Sequence, residues 1–92
     1  MTYKVLTSKR FEKDLKRCQK RGLSMQLVFE AIKLLEQTGS LPTQYRSHKL
    51  VGDKRGLWEC HIQPDWLMVW EQNDELLTLL FLQTGTHSDI FG

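Results

Sequence analysis

The chain has 92 residues, 40% hydrophobic content and a formal net charge of +2, enough apolar material for one modest core and a single domain over residues 1–92. No apolar run reaches membrane-spanning length, and Met1-Thr2-Tyr3-Lys4-Val5-Leu6 lacks an apolar stretch leading to a small-residue cleavage site, so the protein is expected to stay in the cytoplasm, without a membrane partner. Its cysteines, Cys18 and Cys60, stand outside any CxxC spacing, which argues against a disulfide framework or thiolate zinc site and for small buried hydrophobes.

Tyr3 to Thr7 reads as a short strand, after which Ser8 offers an N-cap for a helix running to about Gly22. Phe11, Leu15 and Cys18 form its buried stripe; Lys9, Lys13, Lys16, Arg17 and Lys20 fall on the other side. Ser24 starts a second helix with Leu27, Val28, Ala31, Leu34 and Leu35 on its apolar face, and Gly39 fits its stop. Beyond a loop the pattern turns strand-like: His48 to Val51, Leu57 to Ile62, Trp66 to Glu71 and Leu76 to Thr84, separated by short Gly, Pro, Asn and Asp turns. Short turns imply an antiparallel meander. The fold expected is α+β: an antiparallel sheet of about four strands with a helical hairpin packed on one face, in the order β-α-α-β-β-β.

Positive charge crowds the first quarter of the chain, opposed there only by Glu12 and Asp14. Such a block fits either a solvated helix face or a surface for a polyanion or an acidic protein. Alternation places Glu59 and His61 on one face of their strand and Trp58, Cys60 and Ile62 on the core face, leaving His61 on the face without helices. His48, His61 and His87 all fall at or near strand ends, and Asp65 lies in the turn after His61. They form a candidate acid–base site, although each also has an ordinary structural reading. A zinc reading is weaker, because no HxxxH or HxH pair supplies local ligand spacing.

Ser47-His48-Lys49-Leu50, Trp58-Glu59-Cys60-His61-Ile62-Gln63-Pro64-Asp65-Trp66 and Thr84-Gly85-Thr86-His87-Ser88-Asp89-Ile90-Phe91 closely resemble the signatures of YafQ-type toxins in the RelE superfamily. The resemblance runs the length of the chain and implies a RelE-like fold. It implies a toxin of a type II toxin–antitoxin pair that cleaves messenger RNA in the ribosomal A site without a cofactor or metal. By position it makes His48, His61, Asp65 and His87 the catalytic set. His87 is then the general acid, Asp65 or a neighbouring histidine the base, and His48 and His61 orient or neutralise the phosphate. Trp66 and Phe91 would support the site or stack on RNA, Arg46 and Lys49 would assist, and Lys9, Lys13, Lys16, Arg17 and Lys20 would grip ribosomal RNA. The implied partners are a cognate antitoxin, the ribosome and messenger RNA, with a monomeric free toxin and a hetero-oligomeric complex.

Two positions depart from the family pattern: Gln83 and Trp58 stand where arginines are common, which leaves Lys49, Arg46 or Lys54 to supply charge. Two other functions compete. A ParE-like toxin would act on gyrase and would not need the histidines, and a non-catalytic module would bind RNA without cutting it.

Overall fold

The computed structural model describes residues 2–92. Strand β1 (Lys4–Thr7) leads into helix α1 (Lys9–Lys20), and helix α2 (Met25–Thr38) follows a tight turn. The Ser8 hydroxyl accepts the Phe11 N–H at 3.0 Å, satisfying a donor that the start of α1 would otherwise leave free. Gly39 ends α2 with φ of 74°, a left-handed stop that disfavours a side chain, and a Cβ here would also collide with the Tyr3 ring.

The chain continues through β2 (His48–Lys49), β3 (Trp58–Gln63), β4 (Trp66–Asn73), β5 (Thr78–Gly85) and a short helix, α3 (His87–Phe91). The sheet has five strands in the order β1-β5-β4-β3-β2. Strands β2 to β5 make the antiparallel meander that the short turns predict. Strand β1, however, lies parallel to β5, with Lys4 opposite Thr78 and Thr7 opposite Phe81. The sheet is therefore mixed and one strand wider than expected, because the whole intervening chain acts as the crossover that parallel pairing needs. Strand β2 is shorter than the expected His48–Val51, since the chain bends into a helical turn at Gly52–Lys54.

The helical hairpin covers one face. Phe11, Cys18, Val28, Ala31 and Leu35 meet Cys60, Trp66, Met68, Trp70, Leu79 and Phe81 in the main core. Both cysteines are free and buried, and burial raises both thiols above their ordinary pKa, so they pack as small apolar groups. The other face is not bare, contrary to the expectation for His61. Leu67 and Val69, the alternate residues of β4, are buried with Ile90 of α3, and Leu50 and Leu57 pack at the edge. A five-residue helix cannot persist alone; this second, smaller core gives α3 its seat. Among the described residues no helix is long and apolar enough to cross a membrane.

Candidate active site

The turn between β3 and β4 carries Asp65 to the first residue of α3. One oxygen of Asp65 accepts both the ring Nδ1–H of His87, at 2.8 Å, and the His87 backbone N–H, at 3.0 Å. These two bonds, the backbone one foremost, hold the Asp65 carboxyl below its ordinary pKa. An ionised carboxylate only accepts, so the proton facing it sits on Nδ1 and Nε2 is left to meet a substrate. The His61 imidazole is tied in the same manner. His61 Nδ1 lies 3.3 Å from the Pro64 carbonyl, which also leaves Nε2 open. His48 differs: its Nδ1 lies 2.9 Å from the Arg46 carbonyl and its Nε2 3.3 Å from Glu59 Oε1. Both of its nitrogens are engaged, so His48 is not placed to take a proton from a substrate.

Register explains the convergence. His48 lies opposite Glu59 in the β2–β3 pair, which puts it beside His61 on the same face, and α3 returns over that face from β5. The ring centroids of His48 and His61 are 6.5 Å apart, those of His61 and His87 6.1 Å, and those of His87 and Phe91 6.2 Å. Beyond Phe91 the row ends in a cation. Lys54 Nζ lies 5.9 Å from the Phe91 ring centroid and donates to Gln83 Oε1 at 3.5 Å. Beside His61 an open depression of about 340 Å³ is bordered by Arg46, Gln44 and Pro64.

The expected residues divide into two groups. His48, His61, Asp65, His87 and Phe91 come together, and Arg46 borders them. Lys49 does not, because strand alternation turns it to the other face, where its Nζ lies 5.6 Å over the Trp58 ring. Trp66 is only 2% exposed and its Nε1–H donates to Thr84 Oγ1 at 2.9 Å. It cannot stack on RNA, and its part is to anchor the strand that follows Asp65. Arg17 is also withdrawn from the expected ribosomal RNA surface: its guanidinium lies 3.1 Å from buried Asp14 and donates to the Thr84 carbonyl at 3.2 Å. Lys9, Lys13, Lys16 and Lys20 remain exposed on α1.

Three groups escaped the sequence reading. Glu59, 3% exposed, holds His48 and keeps one oxygen without a partner; the signal was there, since alternation placed this charged residue on the His61 face of an inner strand. Asp14, 1% exposed, accepts the Thr84 N–H at 3.1 Å. Its position between Phe11 and Cys18 on the buried stripe was the available clue. The third is helix α3 itself, whose Thr86 and Asp89 form a capping box. Among the described residues, no group of three or more His, Cys, Asp or Glu is arranged to hold a metal ion.

Comparison with known proteins agrees with this geometry. Residues 3–92 match the family described as "Bacterial toxin of type II toxin-antitoxin system, YafQ". The chain is 37% identical over 86 residues to the mRNA interferase toxin YafQ of Escherichia coli (strain K12), covering 92% of this chain and 91% of that protein. It superposes on the toxin in the E. coli DinJ-YafQ toxin-antitoxin complex with a TM-score of 0.89 at 32% identity, covering 100% of both chains. A metal-bound toxin from Helicobacter pylori gives a TM-score of 0.87 at 34% identity, over 99% of this chain and 100% of that one. Family match, sequence identity and fold converge: the chain belongs to the YafQ family of toxins from type II toxin-antitoxin systems.

Proposed function

We propose that this chain is a cytoplasmic endoribonuclease that cuts messenger RNA in the ribosomal A site, without a metal, and is restrained by its own antitoxin. The observation that carries this reading is the pair His61 and His87, 6.1 Å apart, each tied at Nδ1 and open at Nε2. The two rings are near enough for both imidazoles to serve one phosphate group. RNA brings its own nucleophile, so His61 takes the proton of the 2′-OH as that oxygen attacks phosphorus. The bond from phosphorus to the 5′-oxygen breaks, and His87 protonates the departing oxygen. The products are a 2′,3′-cyclic phosphate, open to hydrolysis to a 3′-phosphate, and a 5′-hydroxyl. His48, held by Glu59, supplies positive charge to the crowded phosphate.

This division of labour assigns the base to His61 and makes Asp65 the group that orients His87, since both Asp65 contacts go to that residue. The name of the E. coli relative as an mRNA interferase and its complex with DinJ support the activity and the kind of partner. A gyrase-directed reading gives the row of histidines no task.

The test incubates purified protein with programmed ribosomes and end-labelled messenger, with EDTA-treated naked RNA in parallel. The expected result is a cut at the A-site codon that disappears in His87→Ala while antitoxin binding persists. Undiminished cleavage by His87→Ala, or intact messenger beside inhibited gyrase, overturns the reading.

A further inference from the structure

The catalytic imidazole rides on α3, a helix too short to hold its own place, and the chain reaches it through a tight bend. A Cβ on Gly85 (φ of +155°) would lie 2.6 Å from Asp89 Oδ2 and 3.0 Å from Arg17 Nη2. Asp89 therefore packs directly against the point where β5 turns into α3. Its carboxylate does two things there. It accepts the Thr86 N–H at 2.9 Å while the Thr86 hydroxyl accepts the Asp89 N–H at 3.1 Å, closing the first turn. It also receives both ends of the Arg21 guanidinium, at 2.6 and 3.3 Å, with Arg17 Nη2 at 3.7 Å.

These contacts continue into the sheet. Arg17 bonds the Thr84 carbonyl and Asp14, Asp14 receives the Thr84 N–H, and the Thr84 hydroxyl joins Trp66 to the Leu67 carbonyl. Trp66 directly follows Asp65, and Thr86 directly precedes His87. One network thus ties down the backbone on both sides of the Asp65–His87 contact, and its exposed members are Arg21, which pairs with the Asp89 carboxylate, and Arg10, which bonds Asp14 and the Asp89 carbonyl.

We propose that Arg21 and Asp89 are positioning residues for His87, an ion pair between the end of α1 and α3 that sets where the imidazole meets Asp65. The pair touches no reacting atom and acts through the helix. This inference rests on His87 being the catalytic acid, but its geometric half stands apart from that role, because the Asp65–His87 contact can be read without turnover.

The experiment uses Arg21→Met, which leaves the Thr86–Asp89 box intact, with Arg21→Lys as the conservative variant and Asp89→Asn reading the pair from its other side. Two readouts are taken: kcat and KM on programmed ribosomes, and the titration of the Asp65 carboxyl followed by carbon NMR. In Arg21→Met and Asp89→Asn, kcat is expected to fall about tenfold to a hundredfold with KM little changed. The Asp65 midpoint rises towards the ordinary value of about 3.9, and Arg21→Lys recovers most of both. A wild-type kcat in Arg21→Met with an unmoved Asp65 midpoint overturns the proposal. So does a raised KM at unchanged kcat, which would make Arg21 an RNA contact. If the wild-type protein cuts nothing, the ribonuclease reading fails, and the Asp65 titration alone decides whether the pair positions His87.

Discussion

Asp65 binds His87 twice through one oxygen, once at the ring Nδ1 and once at the backbone N–H. Because these bonds favour the ionised carboxylate, they depress its pKa in the folded state. Stability from this source is present above the unfolded value of about 3.9 and is lost as pH falls through the lower folded value. Urea unfolding of wild type and Asp65→Asn should therefore differ at neutral pH and converge as the pH falls through the lowered folded value. A gap that widens on acidification would contradict the assignment.

Glu59 presents one oxygen to His48 and buries the other without a partner. Glu59→Gln keeps the shape and removes the carboxylate that faces His48, so cleavage is expected to fall about tenfold or more. The melting temperature should be no lower than that of wild type, because the substitution removes a buried charge. Parallel calorimetry and single-turnover cleavage check this; a joint fall in both would mark Glu59 as merely structural.

Two aromatic residues should behave in opposite ways. Trp66→Ala, emptying a core site, is expected to cost about 3–5 kcal/mol of stability, while Phe91→Ala, on a half-exposed ring, leaves stability almost unchanged. If Phe91 stacks on a base, its loss weakens RNA binding by about 1–3 kcal/mol. Chemical denaturation and binding titrations separate the two.

The basic helix splits likewise. Replacing Lys9, Lys13, Lys16 and Lys20 with glutamine should weaken ribosome binding and flatten its salt dependence without moving the cut. Arg17→Gln should instead lower the melting temperature, since Arg17 is bonded to Asp14 and Thr84. Ribosome pelleting at several salt concentrations, with melts alongside, distinguishes them.

At Gln83, Lys54 Nζ already lies 3.5 Å from the amide oxygen, so a cation stands near Phe91 and the end of the histidine row. Gln83→Arg is expected to keep or raise the cleavage rate on programmed ribosomes. A large fall would show that the amide itself is needed.

Local signals were easy to read in the amino-acid order. Ser8 and Gly39 announced where helices begin and end, and the apolar period of α1 and α2 announced which side is core. Alternation in β3 put His61 on the face away from the hairpin but not beneath α3, and resemblance named its companions. The features that stayed hidden depend on partners distant in sequence. Asp14 lies on the buried stripe of α1, but nothing local says that Thr84 will bond it there. Helix α3 is too short to show a period, and nothing in Lys4–Thr7 says that its neighbour will be β5. Of the two roles offered for Trp66, burial leaves support of the site, and Lys49 falls on the other face of the sheet: a residue type suited to RNA says nothing about which face receives it.

The parallel pairing of β1 with β5 also imposes a timetable. Residues placed side by side there, Lys4 and Thr78 among them, lie 74 positions apart, and β5 is an inner strand, needed by both β1 and β4. Until β5 has been made, β1 has no partner, β4 has one open edge, and the groups that meet at Asp65 and His87 do not yet exist together. Contacts this distant close slowly, after the local helices have formed. The contact between Asp65 and His87 is thus among the last parts of the molecule to assemble, since it cannot exist until β5 and α3 have both been made.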